Sequence, residues 1–188
     1  LAHVAVLNFA SARNPGGGFL RGAHAQEEEL CRCSGLYPCQ LKQPAYYRAN
    51  RAQRSMLYTD HLIYSPAVPW VSVKAGELLE APFLCGVITA PAPNAGEHVG
   101  RSDGGQRTLL PTLKRRAGMV LAVARDQGHR ALVLGAWGCG VFRNDPAQVA
   151  AAFGDWLEDE RMRDSFDHIT FAIYGRAKAD ANLTAFRS

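Results

Sequence analysis

Apolar and polar positions follow two regimes along this chain. Short apolar runs at His3–Phe9, His61–Tyr64, Trp70–Val73, Leu84–Ala90, Ala131–Leu134 and His168–Tyr174 have the length and side-chain content of buried strands. Between them lie segments with helical spacing. Good helix formers run from about Gln26 to Cys33, and Ala45–Ser55 reads as a short helix. Thr108–Gln127 carries an apolar stripe of Leu109, Leu110, Leu113, Val120, Leu121 and Val123. Pro146 to about Glu160 is a further helix, with Asp145 placed to cap it and Pro146 at its first position. The remaining stretches break both patterns and read as loops: Ala10–His24, Ser34–Pro44, the Pro-containing break Ser65–Pro69, a long mobile Pro91–Gly105, and Gly135–Asp145.

Strands that alternate with helices through glycine-rich turns predict an α/β/α sandwich whose central strands are largely parallel. Ligands of such folds sit beyond the carboxyl ends of the strands. Both glycine-rich loops, Ala10–His24 and Gly135–Asp145, follow a predicted strand and precede a predicted helix, so they are expected to converge on one edge of the sheet.

At 188 residues, 47% of them hydrophobic and 20% charged, the chain is expected to form one domain with one substantial core. No apolar run is long enough to predict a membrane span, and no secretory pattern opens the chain. It starts on Leu1 and runs directly into a strand-like segment, as the remainder of a longer protein would. The net charge of +4 reads as a solubilising surface, with attraction to a polyanion as the sharper alternative. Five cysteines are an odd number. Cys85 and Cys139 lie in apolar or glycine-rich surroundings, which fits reduced thiols in a cytoplasmic protein better than a disulfide framework. Cys31, Cys33 and Cys39 have no paired spacing of the kind zinc sites use.

The densest chemistry lies in the first loop. Gly16, Gly17 and Gly18 let a backbone pass close to something, because no Cβ stands in the way. Gln26, Glu27, Glu28 and Glu29 follow at a predicted helix start, where the dipole favours carboxylates. Adjacent like charges and burial raise a carboxyl pKa while the helix start lowers it, so a buried member of the run can hold its proton near neutral pH and serve as a general acid. The alternative is three solvated first-turn acids. A flexible cradle beside paired glutamates points to a sugar or phosphate ligand whose bond is hydrolysed.

The second loop, Gly135-Ala136-Trp137-Gly138-Cys139-Gly140-Val141-Phe142, can aim several backbone N–H groups at phosphate oxygens. It is neither a P-loop nor a dinucleotide fingerprint. A tight structural turn explains it nearly as well. Phe142 can cover a sugar or base, and Trp137 can be core. Cys139 has no identifiable histidine partner, so it reads as a small residue in a tight loop and not as a nucleophile. His24, ahead of the acids, reads as incidental.

The Gly16–Gly18 block followed by Gln26-Glu27-Glu28, together with the Gly135–Phe142 loop, resembles the signature and the diphosphate-binding loop of poly(ADP-ribose) glycohydrolases, with the compact bacterial-type members the nearest match. The resemblance runs in order from Leu1 to about Tyr174. It implies a three-layer macrodomain-like mixed sheet, a single catalytic domain over residues 1–188 lacking an N-terminal extension, and hydrolysis of the ribose–ribose bonds of poly(ADP-ribose). By the same resemblance Glu28 is both acid and base, a departure from the common two-carboxylate scheme. Glu27 holds the adjoining ribose hydroxyls, and Gly16, Gly17 and Gly18 bring main chain against ribose and diphosphate. Gln26 belongs to the same substrate-binding set. Gly138, Cys139, Gly140 and Val141 donate N–H groups to the diphosphate, and Phe142 packs on the terminal ribose. No metal or cofactor is implied.

Animal-type members carry an asparagine where this chain has Ala12; Asn14, Ser11 or Asn8 stands in for it. The implied partners are poly(ADP-ribose) and ADP-ribosylated proteins, with ADP-ribose as product. A monomer that binds no specific nucleic-acid sequence and removes terminal units more than internal ones is the expectation. A reader that only binds ADP-ribose is the competing class; it needs glycine nests but not Gln26-Glu27-Glu28. A nucleic-acid module using Arg48, Arg51, Arg54, Arg115 and Arg116 rests on charge alone.

Overall fold

A computed structural model describes residues 4–74, 76–99, 105–174 and 180–187. These residues fall into two compact units, one within residues 4–54 and 58–91, the other within residues 55–57 and 92–187.

The first unit is built on three strands: β1 (Val4–Phe9), β2 (Ile63–Lys74) and β3 (Glu77–Ala90). β3 pairs with β1 in parallel, Ala5 opposite Gly86 through Phe9 opposite Ala90, and with β2 antiparallel. The two short strands expected on either side of Ser65–Pro69 are one continuous β2. Its pairing register shifts between Ser65 and Val68, which absorbs Pro66. A proline lacks the ladder N–H, and a bulged outer strand tolerates that loss. The last six residues of β3 are buried, so the apolar run Leu84–Ala90 marks only the inner half of a longer strand.

Three helices belong to this unit: α1 (Gln26–Cys33), α2 (Leu36–Leu41) and α3 (Pro44–Ala52). α2 replaces the loop expected at Ser34–Pro44. Pro38 misled that reading, yet it is the third residue of the helix, where a backbone N–H has no intrahelical acceptor to lose. Burial of Leu36 fixes the helix. Leu36 joins Cys31 of α1 against Val68 and Val87 of the strands, with Phe19, Tyr37 and Trp70 around them. Burying a leucine of this kind is worth about 1.5–3 kcal/mol, more than the local propensity against helix. The same cluster seats α1 on the sheet face and points its N-terminus at the end of β1.

The second unit contains α4 (Ala95–His98), α5 (Gly105–Asp126), β4 (Ala131–Leu134), α6 (Pro146–Glu158), β5 (His168–Phe171) and α7 (Ala181–Ala185). β4 and β5 are parallel. Asp145 caps α6 by accepting from the Ala147 N–H, and Pro146 occupies the first turn, as the sequence predicts. α5 and α6 lie close because Gly118 presents no Cβ to Trp156. α4 falls inside the stretch expected to be loop, while residues 100–104 of that stretch, like His3, lie outside the described residues. No helix among the described residues is long and apolar enough to cross a membrane.

Candidate active site

The site begins where β1 ends. Gln26, the first residue of α1, is not aimed at a ligand: its amide donates to the Leu7 carbonyl and accepts from the Phe9 N–H, both at 2.8 Å. It therefore clamps the helix start to the strand end. Behind it the run of acids divides. Glu29 is half-exposed and pairs with Arg32 at 2.7 Å and with His24 at 2.8 Å. Glu27 and Glu28 turn inward and are 3% and 7% exposed.

Each buried carboxylate is held by N–H donors. Glu27 Oε1 accepts from the Gln40 amide at 2.7 Å and the Asn8 amide at 3.1 Å; Oε2 accepts from the Ser11 N–H at 2.7 Å. Glu28 Oε1 accepts from the Gly18 N–H at 2.8 Å, and Oε2 reaches back to the Ala25 N–H at 3.1 Å, at the start of the helix. Burial pushes the Glu27 carboxyl up to about 7, and the donors from Ser11, Gln40 and Asn8 pull against that rise without cancelling it. Burial likewise holds the neighbouring Cys31 thiol at about 12 and raises the Tyr47 phenol, so both stay neutral.

The glycines of the first loop serve these acids. Gly17 has φ +58°, and a Cβ on it would stand 2.4 Å from Glu28 Oε1 and 3.0 Å from Glu27 Oε2. What passes close to the glycine backbone is thus the chain's own pair of carboxylates. The loop's amides are also committed. Gly16 N–H donates to Gln40 Oε1 at 2.9 Å, Gly17 N–H to the Asn14 carbonyl at 3.0 Å, and Gly18 N–H to Glu28. This loop is therefore not an anion nest of open N–H groups.

Of the three stand-ins for the missing asparagine, Asn8 spends its amide on Glu27 and Thr89. Ser11 Oγ accepts from the Arg13 and Asn14 N–H groups in a local turn. Asn14 is exposed. Gln40 was not singled out from the sequence, because it lies in the helix read as loop; its one legible signal is an amide four residues ahead of Pro44, which marks a boundary.

The second loop belongs to the other unit. Gly138 has φ +74°, and a Cβ there would meet Asn144 Nδ2 at 2.3 Å and Ala92 Cβ at 2.6 Å. Asn144, also missed from the sequence, pins the loop by donating to the Pro93 carbonyl at 3.0 Å. The Cys139 N–H donates to the Ala136 carbonyl at 3.1 Å, so it is already spent inside the turn and is not open to a diphosphate. Among the described residues the N–H groups of Gly138, Gly140 and Val141 have no partner. Val141 is 85% exposed, while Trp137 is fully buried against Phe153 and belongs to the core. Burial and the nearby Asp145 push the Cys139 thiol up to about 12, which removes it as a nucleophile near neutral pH. The arginines counted as a nucleic-acid patch do not form one surface set: Arg116 is fully buried and donates to the Leu57 carbonyl.

Residues 1–72 match the family model of the microbial-type PARG catalytic domain. The chain is 53% identical to poly(ADP-ribose) glycohydrolase (PARG) from Deinococcus radiodurans, crystallised in complex with ADP-ribose, with a TM-score of 0.91 over 98% of this chain and 74% of that one. It is 50% identical to the Thermomonospora curvata enzyme, with a TM-score of 0.92 over 98% of this chain and 67% of the other. A T. curvata structure bound to the inhibitor ADP-HPD is also 50% identical, with a TM-score of 0.92 over 98% and 69% of the two chains. No curated protein matches the chain. Likeness of this extent shows a mixed α/β, macrodomain-like fold, and with half the residues identical over nearly its whole length, the chain belongs to the poly(ADP-ribose) glycohydrolase family.

Proposed function

We propose that this chain hydrolyses the ribose–ribose O-glycosidic bonds of poly(ADP-ribose), mainly from the terminal end, releasing ADP-ribose. The observation that carries the reading is the pair of buried carboxylates, Glu27 and Glu28, held on N–H donors with the Gly17 backbone laid against both. The D. radiodurans relative binds ADP-ribose and the T. curvata relative binds ADP-HPD, which fits ADP-ribose as the product here.

Glu28 is the acid and base. Each of its oxygens accepts one backbone N–H, leaving each a lone pair for substrate, and it is the more exposed of the pair. Its proton passes to the departing ribose oxygen as the glycosidic C–O bond breaks and positive charge grows on the anomeric carbon. The resulting carboxylate stabilises that charge, then takes a proton from the attacking water as the new C–O bond forms. One water is consumed and Glu28 ends protonated as it began. Glu27 has both acceptor positions of Oε1 filled by amides, so Oε2 is the oxygen that takes a ribose hydroxyl. Asn14 is the remaining candidate for the work of the missing asparagine. In the second loop Gly138, Gly140 and Val141 supply the N–H groups for diphosphate, and Phe142 covers the terminal ribose. The partners are poly(ADP-ribose) and the proteins that carry it.

Polymer turnover by Glu28→Gln tests this reading. A loss of about 10²- to 10⁴-fold, with ADP-ribose binding retained in calorimetry, is the expected result for removal of a general acid–base group. Equal release of ADP-ribose by Glu28→Gln and the unaltered chain would reject the assignment.

A further inference from the structure

Gln40 is fully buried, lies in a helix the sequence does not announce, and touches three parts of the site at once. Its Nε2 donates to Glu27 Oε1 at 2.7 Å; its Oε1 accepts from the Gly16 N–H at 2.9 Å and faces the Cys31 thiol at 3.8 Å. The backbone N–H of Gly16 can only donate, so it fixes which end of the amide is oxygen and leaves the NH₂ end for the carboxylate. We propose that Gln40 is the positioning residue of this site: one side-chain amide that fastens the first glycine of the loop to Glu27 and holds that carboxylate ready, in its ionised form, to take a ribose hydroxyl on Oε2.

The geometry separates this role from plain packing. A residue needed only to fill space under Gly16 needs no donor, and methionine fills the same volume. The donor matters because Glu27 is 3% exposed and has no water to solvate its charge. Asn8 and Ser11 supply the other donors, at 3.1 and 2.7 Å. The titratable groups around Glu27 are Glu28 and Cys31 on its own helix and Tyr47 on α3. Burial keeps Cys31 and Tyr47 neutral in the working range, so the balance lies between burial, which disfavours the charge on Glu27, and the N–H donors of Ser11, Gln40 and Asn8, which favour it.

The inference deepens the proposed glycohydrolase reading and rests on it for the role of Glu27, but its central measurement does not need turnover. Infrared titration of protein labelled with ¹³C-glutamate follows the Glu27 carboxyl, identified by its absence in Glu27→Gln. In Gln40→Met the midpoint is expected to rise by about one to two pH units, since a hydrogen bond to a charged group is lost. In turnover, the acid limb of the kcat/KM profile moves up by a similar amount, so that activity at pH 7 drops about tenfold or more and recovers toward the original plateau at higher pH. Gln40→Glu keeps the acceptor for Gly16 and sets a second carboxyl against Glu27. The two acids then share a proton, and the midpoint rises further.

A Glu27 midpoint and a pH profile both unmoved in folded Gln40→Met, even with a lowered melting temperature, would reduce Gln40 to packing and overturn the proposal. If Gln40→Met does not fold, Gln40→Glu decides on the same two readings. If the unaltered chain releases no ADP-ribose from polymer, the glycohydrolase reading fails, and the infrared midpoint still judges the link from Gln40 to Glu27.

Discussion

In the loop before α1 every glycine amide is committed inside the protein: Gly16 to Gln40, Gly17 to Asn14, Gly18 to Glu28. In the loop after β4 the amides of Gly138, Gly140 and Val141 carry no partner among the described residues. The absent Cβ atoms differ in the same sense. At Gly17 the space is taken by the two carboxylates, whereas around Gly140 nothing lies within 4 Å and the backbone is not left-handed. Gly17 and Gly140, alike as members of glycine-rich loops, thus answer to different demands. The first is glycine because the fold draws its own acids in. At Gly140 the fold makes no such demand, and an approaching ligand is the explanation the proposed function offers.

Replacing Gly17 attacks the first demand directly. Gly17→Ala puts a methyl 2.4 Å from Glu28 Oε1 at a φ of +58°. The backbone conformation alone costs about 1–2 kcal/mol for an L-residue, and the displaced carboxylate leaves Glu28 off its Gly18 donor. The expected result is a loss of turnover of about a hundredfold or more, as a misplaced catalytic group gives, together with a lowered melting temperature. Near-normal activity in Gly17→Ala would mean that the acids do not depend on the close approach.

The second effect is a pH dependence that centres on Glu27. Glu27 ionises near 4.5 in an unfolded chain and near 7 in the folded one. Between those values the folded state binds more protons, so stability falls as pH rises through the window and levels off above about pH 7. The shift corresponds to about 3 kcal/mol. Urea unfolding at pH 4.5 and pH 8 measures the drop, and Glu27→Gln is expected to remove most of it. An identical pH dependence in both proteins would place the cost of burial elsewhere.

Much of this contrast was legible beforehand. The glycines and the acids stand out as residue types, and the breaker positions place them between a strand and a helix. What the chain did not disclose was direction. That Gly17 faces Glu27 and Glu28 depends on α1 being pressed onto Val68 and Val87 through Cys31 and Leu36, contacts between residues far apart in sequence. The helix that carries Gln40 was hidden by Pro38, because a proline in a first turn and a proline in a loop leave the same trace. Three adjacent glutamates carry no mark of which one is solvated; Arg32 and His24 draw Glu29 outward, and the other two turn in. For the second loop, periodicity found the strand, the cap at Asp145 and the helix, but not Asn144, whose bond to the Pro93 carbonyl spans a long stretch of chain.

Gly140→Ala tests the other side of the comparison. With open space around the position and an ordinary backbone, the methyl is expected to leave the melting temperature nearly unchanged. If the loop's N–H groups hold a diphosphate, the same methyl obstructs the approach and weakens ADP-ribose binding about tenfold, or about 1.4 kcal/mol. Unchanged affinity in calorimetry would take Gly140 out of the binding set.

The smallest effect belongs to Cys139. It sits between two glycines, the arrangement that invites a nucleophile, yet its thiol is pushed up to about 12 by burial and by Asp145. Its N–H is engaged with the Ala136 carbonyl and its sulfur lies 3.9 Å from the Trp137 carbonyl. A thiol in that state has a negligible thiolate fraction at neutral pH, so it alkylates slowly and cannot start a covalent mechanism. Cys139→Ala keeps the backbone bond and removes only a partly buried sulfur, for which a loss of no more than about threefold in turnover is expected. Iodoacetamide at pH 7 should label this position far more slowly than a free thiol. Complete loss of turnover in Cys139→Ala, or rapid labelling that abolishes activity, would move the chemistry from the acids of the first loop to the sulfur of the second.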